Sequence, residues 1–572
     1  METNDVSYRR ESYGRGRERI AALVLLAALA LLAVLALVVP QGTEQPTGTE
    51  YLIAANAAHE RTPVGGLIDI EDAWAIEDER SEAEAPLVRS MFNGESALGY
   101  DAGSETFFCT LGVEDGQDWP ALALSVQDAP GVSVVWIDDY AYDFCDEAIA
   151  EGYRYELLAY TDTEYAYFGV VFTGLPIVSW HTYDADTPIR REYVQGYASV
   201  SSAQHDAINS AAQIHVRGGG APKPVDKPSY RLEFHEQSRK GRDKTREVSV
   251  LGMEPDSDWL LISNASDKTV ISNHLCWKLW SMWTEGEAVP GRLGSQIVEL
   301  FIDDEYMGMY NLLQCVREER ELEHIGGNLS TDCVYRVLRR WGDDFSTVTR
   351  PVLNYSETIS SYVEVRYVPK GLQEERVQAI CDPYELLMRQ GESALSDEEF
   401  AGLVQSVADQ HQLLSYYLFF QVCQLPEDNV YNNRFIWMLR EDDGYRMMIT
   451  PWDMDAGLGK KTEENKPEYI FFGLPMEERM LTLNVGNCRE ELWAIWNEKK
   501  NTLLTEEALY TWIRGEEAYI NASGAYLRES EHWYGAAEPL DLAALYENEL
   551  EFINTIEMYL KELWPLTAQS GA

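Results

Sequence analysis

The sequence predicts an α+β fold in two successive domains behind a transmembrane helix, and three observations carry that prediction. Short apolar runs with strand-like alternation, broken by polar turns, fill residues 51–316. Apolar residues at helical spacing dominate residues 372–424 and most of the chain after Gly459. Residues 20–39, IAALVLLAALALLAVLALVV, contain no charged side chain.

Residues 1–19 are polar and include Arg9, Arg10, Arg15, Arg17 and Arg19, and the next Lys or Arg beyond the apolar run is Arg61. Twenty apolar residues can cross a hydrocarbon core of roughly 30 Å. The arginine bias puts residues 1–19 in the cytoplasm and the bulk of the chain outside the cell membrane. A cleaved signal peptide is the other reading. Val38-Val39-Pro40-Gln41 offers no small-x-small cleavage site, which favours an uncleaved single-pass anchor. Residues 40–50, PQGTEQPTGTE, read as a linker.

At 572 residues, 45% hydrophobic and 11% aromatic, the chain has material for more than one cored domain. A formal net charge of −50, from 96 acidic and 46 basic residues, makes nucleic acid and anionic lipid headgroups unsuitable partners. The eight cysteines (Cys109, Cys145, Cys276, Cys315, Cys333, Cys381, Cys423 and Cys488) show neither CxxC nor zinc spacing. They read as buried thiols, except that Cys109 and Cys145 both precede the main domain and are the candidate disulfide.

Residues 51–174 hold the runs TFFCTLGV, ALALSV, VSVVWI, YRYELLAY and YAYFGVVF, expected to form a small β-rich, sandwich-like domain without a catalytic cluster. The main domain spans residues 175–565, and 566–572 form a tail. It opens with the strand LPIVSWHT. The strand QIHVR follows, running into Gly218-Gly219-Gly220, and then SYRLEF. A Gly-rich loop between two strands can bring backbone N–H groups onto nucleotide phosphates, with Arg217, Lys227 and Arg231 as candidate cations. Three glycines alone also suit a plain turn. A helix follows Asp267, which sits near its N-cap, with Leu275, Leu279 and Trp280 on one face. VELFIDDEYMGMYNLLQCV predicts a hairpin turning at Asp303-Asp304-Glu305, with Gly308 allowing close backbone approach. These segments imply an antiparallel sheet with one inserted helix. Residues 396–424 read as one helix, opened by a Ser396 cap and leading towards Asp428.

The stretch Pro426–Gly459, PEDNVYNNRFIWMLREDDGYRMMITPWDMDAGLG, predicts a second hairpin, RFIWML and YRMMIT around REDDG. Its ends bring Asp428 and Asn433 near Asp453 and Asp455. Carboxylates and an amide on a rigid hairpin suit a hard divalent cation that keeps positions open for phosphate oxygens. Asp-x-x-x-x-Asn, a hairpin and then a metal-bearing Asp is the order found in protein-kinase sites. The His-Arg and Phe-Gly that flank those positions in protein kinases are absent here.

Taken in order, RGGG with KPSYRLEF, DWLLISNASDKTVISNHL, VELFIDDEYMGMYNLL, EDNVYNNRFIWM and PWDMDAGLG resemble the spore-coat protein H (CotH) kinase family, over roughly Leu175 to Trp564. The resemblance implies an atypical protein-kinase-like, two-lobed domain. It implies transfer of the γ-phosphate of ATP, with Mg²⁺ or Mn²⁺, to hydroxyl side chains of envelope or coat proteins. Carried over, Asp428 is the catalytic base or hydroxyl-orienting residue, and Asn433, Asp453 and Asp455 form the metal side. Arg217 with Gly218, Gly219 and Gly220 forms the phosphate loop, and Lys227 or Arg231 reaches the phosphates. Gln314 belongs to the nucleotide side, where the family's strand commonly carries Glu. Its drift, and that of the glycine loop, keeps open an alternative: a kinase-like scaffold acting as a cell-surface binding or assembly protein. A phosphodiester hydrolase on the same acidic cluster would want metal-ligating histidines, and none lies in the hairpin.

Overall fold

The computed structural model describes residues 61–112, 122–127, 129–138, 146–184, 187–218, 226–236, 244–337, 363–388, 394–426, 433–442, 444–458 and 474–566. Residues 20–39 lie outside them. Among the described residues no helix is long and apolar enough to cross a membrane. Helices and antiparallel-rich sheets alternate along the described chain, an α+β composition.

Residues 61–173 form two sheets. One holds the strands Arg61–Pro63, Leu124–Gln127, Met91–Asn93 and Ser96–Ala97. The other is centred on Arg154–Tyr160 and Glu164–Thr173. Met91, Val126, Phe107, Trp136, Leu157 and Phe168 fill one core between them. Cys109 is a free thiol in that core, and burial pushes it up to about 12. The expected disulfide with Cys145 is therefore not made. The alternation of TFFCT explains why: Cys109 points inward with Phe107.

From Ile177 the chain forms β1 (Ile177–Thr182), β2 (Val194–Ser201), β3 (Ile208–Arg217), β4 (Ser229–Glu236) and β5 (Asp258–Ile262). The helix α1 (Ser272–Trp283) and the strands β6 (Ser295–Ile302) and β7 (Glu305–Gln314) follow. The strand order is β3-β2-β1-β6-β7-β5-β4. β4 pairs back onto β3, from Ala212↔Phe234 to Arg217↔Ser229, and the sheet closes on itself. Trp180, Ile214, Phe234, Trp259, Leu300 and Tyr310 fill the interior. The outward residues Leu260, Ile297, Met309 and Leu313 join α1 in a larger core.

The β6–β7 hairpin turns through Asp303 and Asp304, both at positive φ (49° and 65°), a turn whose twist matches that of the strands. Gly308, at φ 84°, is needed for space as well. A Cβ there would lie 2.0 Å from a Glu529 carboxylate oxygen.

The C-terminal half contains a second sheet of β8 (Cys333–Val337), β9 (Val363–Tyr367), β10 (Arg434–Glu441) and β11 (Gly444–Pro451), in the order β9-β8-β10-β11. Residues 396–424 form two helices, α2 (Asp397–Val407) and α3 (Gln410–Val422), and not one. Ser396 and Glu399 make the expected capping box. The break follows from Asp409: its side chain accepts from Gln412 N, and its own N–H donates to Met447 O at 3.0 Å. An Asx cap in mid-sequence thus starts a new helix and hydrogen-bonds to β11.

Helices α4 (Gly515–Ala522) and α5 (Ala525–Tyr534) lie against the barrel and α1. Glu516 of α4 is held by His274, at 3.2 Å, and by Lys278, both on α1. Arg528 of α5 forms a two-point pair with buried Glu299 of β6, at 3.0 and 2.9 Å. The N-terminal sheets join the barrel through Phe108, stacked on Tyr306 at 5.5 Å and packed with Phe301.

Candidate active site

The β10–β11 ladder runs without interruption from Arg434↔Pro451 to Glu441↔Gly444. Beyond its open end, Trp452 N donates to Asn433 O at 2.8 Å, so the two chain segments stay together. Asn433 and Asp453 both adopt left-handed backbone, with φ of 53° and 54°. Asn and Asp tolerate that conformation best among residues with a side chain. Two such residues facing each other across one hairpin mouth are the kind of local strain that collects at functional sites.

The PWDMD run alternates. Trp452 and Met454 are buried, Asp453 is exposed and Asp455 is half-buried. Trp452 anchors the run, with its ring 5.6 Å from Phe435 and 6.2 Å from Trp277 of α1. Arg434, next to Asn433, turns the other way and is fully buried, 5.6 Å from the Tyr384 ring and 4.0 Å from Glu477. Packing on both faces thus fixes the hairpin end and leaves Asp453 to solvent. Asp455 accepts from Ser266 Oγ at 3.3 Å.

The barrel rim meets this acidic end. Arg217, the last residue of β3, is opposite Ser229 of β4. Ser229 Oγ accepts from Ser263 N at 3.0 Å, and Ser266, three residues on, is the residue that reaches Asp455. Burial holds the Arg217 guanidinium below the ordinary arginine range, against the pull of Asp453 and Asp455. Arg231 of β4 is fixed by Asp258 at 2.9 Å, and Arg317 shares that carboxylate at 2.6 Å. Burial lowers Arg231, but the hydrogen bond to Asp258, together with the pull of Asp258's charge, Cys315 and Tyr193, outweighs it and raises the group overall.

Of the predicted nucleotide contacts, Arg217 and Arg231 share the rim, and Gly218, exposed at φ 101°, follows Arg217. Asp428, Gly219 and Gly220 lie outside the described residues.

Lys227 and Gln314 are engaged elsewhere. Lys227 is 1% exposed. Its ammonium donates to Glu529 at 2.6 Å and to Met309 O at 2.7 Å, and lies 4.8 Å from the centre of the Tyr310 ring. Gln314 accepts from Gly294 N at 2.7 Å and donates to Glu254 O at 2.8 Å, closing a loop. The next residue, Cys315, is buried and feels Arg231 and Arg217 instead. Asp267 caps α1 by accepting from Ser272 N at 3.0 Å.

Arg336 of β8 and Arg366 of β9 belong to the same electropositive wall and were not singled out by the sequence reading. Arg336 feels both Asp453 and Arg217, and Arg366 lies beside Arg231. The available signal was an arginine interrupting the apolar strand CVYRV.

An acidic hairpin end thus faces an arginine-bearing barrel rim. Comparison with protein families makes the class specific: the CotH kinase protein family matches residues 214–560, more than half of the chain. The chain belongs to the CotH kinase family. No curated protein matches it.

Proposed function

We propose that this protein is a membrane-anchored, extracytoplasmic CotH-type kinase that transfers the γ-phosphate of ATP to hydroxyl side chains of envelope or coat proteins. The observation that carries the reading is the pair of left-handed residues, Asn433 and Asp453, at one hairpin mouth beside Arg217.

Asn433, Asp453 and Asp455 offer only oxygen donors, which fits Mg²⁺ or Mn²⁺. Among the described residues no three His, Cys, Asp or Glu side chains converge on a metal position. In this reading the amide of Asn433 completes the donor set of Asp453 and Asp455. When bound, the divalent ion supplies charge neutralisation for the phosphate oxygens. Arg217 and Arg231 add fixed positive charge at the rim. Asp428, outside the described residues, takes or orients the proton of the attacking hydroxyl. Positioning and electrostatics suffice, and no covalent enzyme intermediate is needed. The membrane placement rests on residues 20–39 and on the arginines before them.

A thermal-shift titration of the full-length chain with ATP and Mg²⁺ or Mn²⁺ tests the site. A metal-dependent rise that disappears in Asp453→Ala is expected. No rise with either metal would overturn the kinase reading in favour of the binding scaffold. Protease treatment of intact cells tests the anchor: loss of the C-terminal mass with a small fragment retained in the membrane is expected. Release of the whole chain into the medium would refute it.

A further inference from the structure

We infer that Arg336 is a second phosphate-binding arginine, set against Arg217 so that the polyphosphate of a metal-bound nucleotide lies between guanidiniums from two separate sheets. The inference rests on the nucleotide reading above.

Strand register puts Arg336 at the end of the β8–β10–β11 sheet that carries the acidic hairpin mouth. It is paired with Phe435 of β10 on one side and with Glu364 of β9 on the other. Phe435 is two residues from Asn433, and its ring packs on Trp452, the neighbour of Asp453. The antiparallel ladder therefore carries Arg336 to the same edge as the acidic hairpin mouth. Arg217 reaches that edge from the barrel.

Two other arginines near this edge are committed: Arg231 has Asp258 at 2.9 Å and Arg366 has Glu318 at 2.7 Å. Arg434 also has unpaired nitrogens, but it is fully buried on the opposite face, out of reach of a ligand at this edge. Arg336 is different. Its nearest carboxylate oxygen among the described residues, on Glu364, is 3.9 Å away, beyond hydrogen-bonding distance. Its Nε is buried and makes no hydrogen bond, while the side chain as a whole is 30% exposed. A buried donor left unpaired among the described residues leaves a hydrogen-bonding position that a bound ligand can fill. The planar guanidinium fork suits phosphate oxygens, which it can hold at two points.

Electrostatics agree with the geometry. Burial lowers Arg336, the neighbouring Arg366 and Arg217 lower it further, and Glu364 and Asp453 do not make up the difference. Two like charges flank Asp453, and an anion between them would relieve their repulsion.

The test compares wild type, Arg336→Met and Arg336→Lys as full-length chains. Their melting temperatures are measured without ligand, and their affinities for MgATP and for magnesium tripolyphosphate by calorimetry. Arg336→Met should melt no lower than wild type, because it removes a strained charge. It should bind both ligands at least tenfold more weakly, with part of the loss recovered in Arg336→Lys. Wild-type affinity in Arg336→Met, or a fall in the unliganded melting temperature with affinity kept, would overturn the inference. A loss for MgATP alone would also overturn it, since it would point to the base or ribose. If wild type binds neither ligand, the nucleotide reading itself falls, and that is visible before any variant is made.

Discussion

The seam behind the barrel and the cleft in front of it both concentrate charge, and they treat it in opposite ways. At the seam every named ion has a short-range partner: Lys227 with Glu529, Arg528 with Glu299, Glu516 with His274 and Lys278. Most of these groups are buried. At the cleft, Arg231 lowers Arg217 and Arg217 lowers Arg336, and Asp453 stands exposed at a left-handed residue. Charge that stabilises a fold is satisfied within the fold. Charge that serves a ligand is left exposed or beside like charge until the ligand arrives. By this criterion Lys227, a plausible phosphate contact from sequence, belongs to the seam, and Arg336 belongs to the cleft.

The contrast can be broken first at Lys227. Lys227→Met leaves Glu529 buried without its counter-ion and should cost about 3–5 kcal/mol, read by denaturant unfolding. The double variant Lys227→Met/Glu529→Leu should recover much of that loss. If Lys227→Met instead leaves stability intact and weakens nucleotide binding, the two regions have been wrongly separated.

The next largest effect is expected at Glu516. Burial works to raise this carboxyl, but His274 and Lys278 bring it from 4.5 down to about 2. A depressed folded-state pKa adds stability above the unfolded value and loses it as pH falls through the folded one. That contribution, on the order of 3 kcal/mol, should be present above about pH 4.5 and fade towards pH 2. Stability–pH curves of wild type and Glu516→Gln should therefore differ most near neutrality and converge in acid.

Asp453→Ala sharpens the comparison from the cleft side. Its unliganded stability should fall by only about 1 kcal/mol, because the residue is exposed but alanine tolerates its left-handed backbone less well than aspartate. The nucleotide-dependent gain, roughly 2.7 kcal/mol at one hundred times Kd, should vanish. The smallest effect is expected at Gln314→Glu, which exchanges an amide donor to Glu254 O for a second acceptor. It should lower stability by about 1 kcal/mol and leave MgATP affinity unchanged. A change in affinity would return Gln314 to the nucleotide side.

Both hairpins were legible in the sequence because alternation and turn residues are local. The acidic residues at the β10–β11 mouth were legible for the same reason, since ladder register brings Asn433 and Asp453 together. The break at Asp409 was missed: the helical pattern runs through it, and what ends α2 there is a hydrogen bond to Met447, a residue distant in sequence. Cys109 was offered as a disulfide partner of Cys145 because both precede the main domain, whereas strand alternation buries it as a free thiol.

The sequence by itself determined the membership, the strand and helix content, and the acidic set at the hairpin mouth, because these depend on spacing along the chain. Only the tertiary structure decided which cations face the cleft. Closure of β4 onto β3 brings Arg217 and Arg231 to one rim, α5 supplies the Glu529 that takes Lys227 away, and the β8–β10 register delivers Arg336. Those assignments depend on partners many residues away, whose proximity no local pattern encodes.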